Sequence, residues 1–509
     1  MRLPSRFPHG RTNRSIRTMT QCKDTTAPHA PSARATQLQE LDQQLTQDPD
    51  EVEARYARAS LLREAGRHDE AKADYLALLA RAPTHFGALN DFGTMLLATG
   101  FRDAARTVFE QAVRHHPERP GGHVNLANLL LALGEHTPAR EHFETALKLA
   151  PDHVHAHRGL ANLLADIGDD AGARRHRDRG FKGHALTTLP YHGDGAGLSV
   201  LLLVSALGGN IPTAALLDER QFRTSVLVAD YADPGVALPP HDVVFNGIGD
   251  ADLCGDALAA AQAILARTDR PVINHPGAVD ATGRIANAER LRGMPGVVVP
   301  RMASLARSLL AEPDGPAALA AHGCEFPLLL RAPGFHTGRH FVRVERPADL
   351  PAAATALPGP DLSVIEALDA RGADGKHRKC RVMVIDRQLY PLHLAISGDW
   401  KVHYFTAAMA ESAEHRAADA AFLADMDTVV GARGRAALAR IAAVLALDYG
   451  GIDFAVGPTG DILFFEANAT MAVYPPLADP KWAYRRPAVG QVVAAVRAML
   501  RERARVRTA

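Results

Sequence analysis

PERPGGHVNLANLLLALGEHTPAREHFETALKLAP, residues 117–151, is one full period of a pattern that runs through the first third of the chain. Its bounding prolines, Pro117 and Pro151, have equivalents at Pro49 and Pro83, always 34 residues apart. Gly66, Gly100, Gly134 and Gly168 keep that interval, and so do Ala71, Ala105, Ala139 and Ala173. One unit back, the residues read as two amphipathic helices, roughly 86–99 and 102–115, with Gly100 at the turn, where a left-handed residue ends a helix. Proline opens the next unit, where a missing N–H costs nothing, and the small alanine lets paired helices approach. One such unit cannot bury its apolar face alone, so units must stack. The period therefore predicts an all-α solenoid over roughly residues 36–183, with a weaker helix at 36–47 capping its front.

This pattern resembles the tetratricopeptide repeat. The resemblance implies a peptide or protein partner on the concave face of the array; a scaffold that only packs on the rest of the chain is the plainer alternative. His153 and His157 stand four apart on one helix, the spacing of a metal pair, with His155 between them. No third ligand accompanies them, and a solvated or peptide-facing surface is expected.

Bulk properties narrow the function classes. At 509 residues the chain has length for about three domains. Acidic and basic residues number 57 each, which argues against a general nucleic-acid or polybasic membrane binder. Cys22, Cys254, Cys324 and Cys380 are scattered with no CxxC pair, so neither a zinc ribbon nor a disulfide framework is indicated, and a reducing, cytoplasmic location is expected. The longest apolar stretch, Leu198–Leu207, is too short to span a bilayer. Residues 1–35 carry Arg2, Arg6, Arg11, Arg14 and Arg17 with no acid before Asp24 and no apolar core. They read as a disordered arm or a start assigned too early, with Met19 the true one, rather than as a transit peptide.

Past Gly183 the periodicity changes. SVLLLVS (199–205), VLVA (226–229), DVVFN (242–246) and VIN (272–274) are short apolar runs, and 256–267 is helical. Alternating strands and helices predict a parallel, doubly wound α/β domain over 184–296. Asn210, Asn246, Asp250, Asp252, Asn274 and His275 cluster just past strand ends, where such sheets bind ligands. Gly208-Gly209-Asn210 is not a GxGxxG fingerprint, so no dinucleotide site is expected.

Near the C-terminus, GIDF (451–454) and ILFFEAN (462–468) flank a turn and read as a hairpin. Glu466 and Asn468, two apart on one strand, share a face, and Asp453 stands on the neighbouring strand. Three oxygen-bearing side chains on one patch suit Mg²⁺, which commonly shares carboxylates with nucleotide phosphates. Here the sequence resembles the ATP-grasp superfamily, of the glutathione synthetase and D-alanine–D-alanine ligase type, over about residues 198–500. The resemblance implies an α/β pre-ATP-grasp domain (184–296), an α+β ATP-grasp domain (297–500) and a short basic tail (501–509) behind the solenoid. It implies two magnesium ions on Asp453, Glu466 and Asn468. It implies ATP contacts from Arg284, Arg331, the loop Gly334–His340 with His336, Thr337 and Gly338, Glu366 on the hinge strand, Asp369 near the ribose, and Lys379. Arg381 would face the γ-phosphate, and Lys401 and His403 would face developing charge, His403 as a base; His393 is expected to be a structural hydrogen bonder. Arg331 and Arg284 stand where the family usually has lysine, a change from point charge to planar fork. The motif Asn468-Ala-Thr-Met also departs from the Asn-Ser-x-Pro-Gly of the peptide ligases, so substrate class does not carry over. The activity implied is ligation of a small-molecule carboxylate to an amine or related nucleophile through an acyl phosphate. The alternatives are a repeat scaffold with a nucleotide-sensing or inactive domain, and phosphotransfer to a partner.

Overall fold

The computed structural model describes residues 33–334, 338–404, 407–476 and 479–505. The expected N-terminal arm before residue 33 lies outside them, as do His336 and Thr337. The chain forms two compact units, the first ending at Asp91 and the second beginning at Phe92.

Helices occupy the whole repeat region: α1 (Ala33–Gln47), α2 (Val52–Glu64), α3 (His68–Arg81), α4 (Phe86–Ala98), α5 (Arg102–His115), α6 (Pro120–Ala132), α7 (His136–Leu149), α8 (Val154–Asp166) and α9 (Asp170–Phe181). The glycines lie where the period places them. Gly100, Gly134 and Gly168 have φ of 89°, 77° and 84°, and the amide after Gly134 donates back to the Leu130 carbonyl at 2.9 Å, closing the helix. Ala105, Phe109, Ala139 and Phe143 are all buried, so the repeated small and aromatic positions form the seam between helices.

The repeats are followed by a mixed α/β region. Strands β1 (Leu186–Thr188), β2 (Leu198–Val204), β3 (Phe222–Val228), β4 (Val243–Asn246) and β5 (Val272–Ile273) form a sheet in the order β1-β3-β2-β4-β5. All neighbours are parallel except β1 with β3, as the unbroken apolar runs predict. Helix α10 (Gly255–Leu265) follows β4, and α11 (Pro276–Asp280) and α12 (Arg284–Leu291) follow β5. The last repeat packs on this sheet's end: Tyr231 donates to Asp178 at 2.8 Å and its ring stacks on Phe181.

Two further sheets complete the second unit. Strand β6 (Val297–Val298) leads into β7 (Met302–Ala306), α13 (Arg307–Ala311), α14 (Gly315–Ala321), β8 (Leu328–Arg331), β9 (Phe341–Val344), α15 (Leu350–Thr355) and β10 (Asp361–Glu366). Strands β7, β10, β8 and β9 make an antiparallel sheet in that order, with its own core around Leu310, Leu330, Leu350 and Val364. The chain then enters β11 (His377–Ile385), β12 (Gln388–Ser397), α16 (Ala413–Ala424), α17 (Met426–Leu445), β13 (Tyr449–Val456), β14 (Ile462–Asn468) and α18 (Arg486–Arg505). This sheet runs β12-β11-β13-β14-β6. Its last strand, β6, comes from before the four-stranded sheet, so that sheet is nested in sequence between β6 and β11. The five-stranded sheet shares one continuous core with the parallel sheet, including Phe245, Ile273, Phe454 and Phe464. Asn274 is one tie between them: its side chain pairs with both backbone groups of Tyr449, at 2.8 Å each.

Among the described residues no helix is long and apolar enough to cross a membrane. Cys254, Cys324 and Cys380 are buried free thiols.

Candidate functional site

A cleft of about 820 Å³ is lined by the four-stranded antiparallel sheet, by the sheet β12-β11-β13-β14-β6, whose edge strand β6 runs parallel to β14, and by loops from the parallel one. Its floor follows from strand register. His393 on β12 pairs with Arg381 on β11, Arg381 with Asp453 on β13, and Asp453 with Glu466 on β14. Directly opposed residues share a face, so His393, Arg381, Asp453 and Glu466 form one row across four strands. Lys379 and Asn468, each two residues from a row member, extend the same face. Bulges interrupt the β11–β12 and β13–β14 ladders next to this row, a place where a bulge re-aims side chains.

Charge pairing is dense along the row. Arg381 grips Asp453 with two hydrogen bonds, Nε to Oδ1 at 2.6 Å and Nη2 to Oδ2 at 2.8 Å. Lys379 Nζ adds a contact at 3.0 Å. Asp453 is 1% exposed; burial opposes its ionisation, but Arg381 and Lys379 outweigh that and hold it well below the usual carboxylate range. Glu466 accepts from Arg284 and has Arg331 at 3.8 Å. Burial and the nearby Asp453 push its carboxyl up, yet Arg284 and Arg331 hold it at about 2. Burial, then repulsion from Arg284, lowers Arg331 in turn. Four cations thus converge on two carboxylates, an excess of positive charge suited to a polyanion.

The oxygen donors Asp453, Glu466 and the Asn468 amide fit a hard cation such as Mg²⁺. Both carboxylates stay ionised, as a metal requires. Both are also already charge-paired, and Asn468 Oδ1 accepts from the Thr470 amide and hydroxyl at 3.0 and 2.7 Å. The set therefore fits an ion that arrives with a polyphosphate able to occupy the arginines. Among the described residues no three His, Cys, Asp or Glu side chains gather round one point.

Most of the residues expected from sequence line this cleft: Arg284, Arg331, Gly334, Gly338, Glu366, Lys379, Arg381, Lys401, His403 and the three oxygen donors. Lys401 Nζ donates to the Gly338 carbonyl at 3.2 Å. Burial, then Lys379 and Arg381, lowers the His403 pKa. Asp369 is not among the lining residues; it is exposed and clamped by Arg371 at 2.6 and 2.8 Å, because its neighbour two positions on competes for it. Of the parallel sheet's polar cluster, Asn210, Asp250 and Asp252 reach the cleft, whereas Asn246 and Asn274 are fully buried and tied to backbone. His153 and His157 do not form a pair: His153 caps α8 by accepting from Ala156 N, and His157 is buried against His176, Nδ1 to Nδ1 at 2.9 Å. His123 and His142 repeat that contact one period earlier at 3.0 Å.

Three residues at one end of the cleft were not singled out as site residues by sequence reasoning. His393, expected to be a structural hydrogen bonder, is 6% exposed and its Nε2 is buried with no hydrogen-bond partner. Burial, then Arg381, Arg485 and Lys379, holds it neutral. Its ring lies 4.8 Å from Tyr404, and Arg485 sits 4.1 Å over the other member of that contact. Behind them Asp419, fully buried, accepts from Tyr404 at 3.1 Å, Tyr484 at 2.6 Å and Leu394 N at 2.7 Å. No local motif marks these residues; only the β11–β12 register brings His393 into the row.

Comparison with known proteins bears on the repeats. The tetratricopeptide repeat family profile matches residues 33–86, 90–137 and 124–176. Solved structures similar to part of this chain include MamA (17% identity over 28% of this chain and 84% of that one, TM-score 0.27). Others are PilF of Pseudomonas aeruginosa (23%, 29% and 75%, 0.26) and the TPR protein TTC0263 of Thermus thermophilus (22%, 28% and 79%, 0.26). No curated protein matches the chain. The N-terminal all-α region of this chain is an array of tetratricopeptide repeats, and a mixed α/β region follows it.

Proposed function

We propose that the region after the repeats is an ATP- and magnesium-dependent ligase of the ATP-grasp type, joining a carboxylate to an amine or related nucleophile. The observation that carries this reading is the convergence of Arg284, Arg331, Lys379 and Arg381 on Asp453 and Glu466 in the floor of a cleft between the four-stranded and the mixed five-stranded sheet. Phosphoryl transfer asks a protein mainly for positioning and charge neutralisation, and this row offers both. Arg284 and Arg331 would hold the nucleotide phosphates, and Arg381 and Lys379 would face the γ-phosphoryl group as the acid's oxygen attacks it. ADP leaves, and the acyl phosphate then meets the nucleophile with loss of phosphate. Magnesium bound at Asp453, Glu466 and Asn468 would supply further neutralisation of phosphate charge. Gly334 and Gly338 line the cleft from the β8–β9 loop.

The repeats favour a peptide or protein as substrate, carrier or partner. Arg339, in the β8–β9 loop, lies 3.8 Å from Asp166 at the end of α8, so the last repeat touches the loop whose Gly338 lines the cleft. A substrate held on the array would gain effective concentration at the cleft. A second reading, a repeat scaffold with a nucleotide-sensing domain, is favoured by the arginines that already neutralise both carboxylates.

Calorimetry with Mg²⁺-ATP on the wild type and Glu466→Gln tests the nucleotide site. Metal-dependent binding that the variant loses supports it; no binding to the folded wild type overturns it. Hydroxylamine trapping of an acyl phosphate then separates ligase from phosphotransfer and from sensing.

A further inference from the structure

Three of the four row members have a partner: Arg381 and Asp453 hold each other, and Glu466 is held by Arg284. His393 has none. A buried polar atom without a partner costs free energy that the fold does not recover, so its retention calls for an explanation outside the folded chain. The position supplies one. Directly opposed strand residues lie about 5 Å apart, which sets His393 one step from Arg381 on the side away from Glu466. Around it are Arg485, whose Nε is likewise buried without a hydrogen-bond partner, and the ring of Tyr404. Arg485 is braced from behind: it donates to the Leu392 carbonyl at 3.3 Å, at the bulge beside the row, and stands 3.8 Å from Asp419. A preorganised cation beside an unused imidazole, walled by aromatic rings, is built for a planar anion.

We propose that His393, Arg485 and Tyr404 form the subsite that binds the carboxylate substrate, with His393 as its hydrogen-bonding contact. This rests on the ligase reading above and orders the reaction along the row. Phosphates sit at the Glu466 end, γ-phosphoryl transfer occurs at Asp453 and Arg381, and the acid enters from the His393 end. The acid's carboxylate then approaches the γ-phosphoryl group from the face opposite the nucleotide, as in-line displacement requires.

The chain's two tryptophans report on the cleft: Trp400 lines it, and the Trp482 ring lies 6.1 Å from Tyr404. The experiment uses the full-length protein, with benzoate as the carboxylate probe and benzamide as its uncharged isostere. Tryptophan emission is followed with and without Mg²⁺-ATP, and thermal midpoints are recorded in parallel. Benzoate is expected to give a saturable change that benzamide does not. His393→Leu should weaken benzoate at least tenfold while leaving Mg²⁺-ATP affinity and the melting temperature undiminished, since Nε2 has no hydrogen bond to lose and leucine can fill the space against Tyr404. His393→Gln, which restores a hydrogen-bonding group, should stay within about threefold of wild type. Equal responses to benzoate and benzamide, no response to either, or unchanged benzoate affinity in His393→Leu would overturn the subsite. So would a large drop in melting temperature in His393→Leu, which would mark the imidazole as a packing residue. Failure of Mg²⁺-ATP to bind the wild type would instead remove the ligase reading on which the subsite rests.

Discussion

Asp453 stands directly across the β11–β13 ladder from Arg381, and that one guanidinium occupies both oxygens of its carboxylate, at 2.6 and 2.8 Å. The fork geometry matters because a lysine at position 381 makes a single-point contact only. The pair is also almost sealed from solvent, so its two halves depend on each other for more than catalysis.

Removal of the carboxylate alone should therefore damage the fold. Asp453→Ala leaves Arg381 and Lys379 together in the cleft floor without their counter-ion, and a broken buried pair typically costs about 3–5 kcal/mol. Urea denaturation is the measurement; a loss under about 1 kcal/mol would mean that water already screens the pair. Asp453→Asn, which keeps an acceptor oxygen, should cost less and is the better variant for binding work.

Acid should weaken the second unit through Glu466. Its folded pKa, about 2, lies below the usual carboxylate value, so the unfolded chain binds its proton more readily. The contribution is present at neutral pH and is lost as pH falls from about 4.5 towards 2. In Glu466→Gln the slope of stability against pH across that window should be shallower, by up to about 1.4 kcal/mol per unit. An unchanged slope would assign the acid limb to other groups.

The paired histidines of the repeats give a second pH effect, nearer neutrality. Pro117 and Pro151 carbonyls accept from Nε2 of His123 and His157 at 2.9 Å each, so in the neutral state the facing Nδ1 atoms accept from His142 and His176. Burial, then the facing imidazole, lowers His142 and His176. A histidine whose folded pKa is lowered loses stability as pH falls below its unfolded value, about 6.5. Denaturation midpoints should fall between pH 7.5 and 5.5, and His142→Asn/His176→Asn should flatten that fall. Equal pH dependence in the double variant would contradict the coupling.

Gly159 is a tighter constraint than its helix position suggests. On an open helix surface, alanine would improve on glycine by about 1 kcal/mol. Here an added Cβ would meet the buried Phe143 ring at 2.3 Å. Gly159→Ala should destabilise instead, by about 1–3 kcal/mol, with Gly121→Ala, which meets nothing within 4 Å, as the contrasting control in thermal melts.

The repeats were legible because each unit is specified locally: period, turn glycine and seam alanine all lie within 34 residues. The apolar runs of the parallel sheet were legible for a similar reason, although β3 begins at Phe222, four residues ahead of the strand expected from 226, since Phe222 and Thr224 bury as their alternation permits. At the site, Asp453 and Glu466 could be read from a single hairpin. What escaped was everything set by register between distant strands. His393 reaches the row through a bulge at Leu392, and Arg485 through a segment about 90 residues later; neither position carries a pattern of its own. Asp369 stands outside the cleft lining, held by Arg371 two residues on.

The nesting of the four-stranded sheet has a consequence for how this molecule can change. Residues 302 and 365 face each other across β7 and β10, and just outside them Arg301 and Glu366 join by two hydrogen bonds, at 2.9 and 3.0 Å. The chain enters and leaves that wall through one narrow doorway. Everything between is a self-contained cassette with its own core, and the sheet that bears the charged row closes without it. Mutations inside the cassette can remodel one side of the cleft while the other keeps its register, so the two walls are free to diverge at different rates.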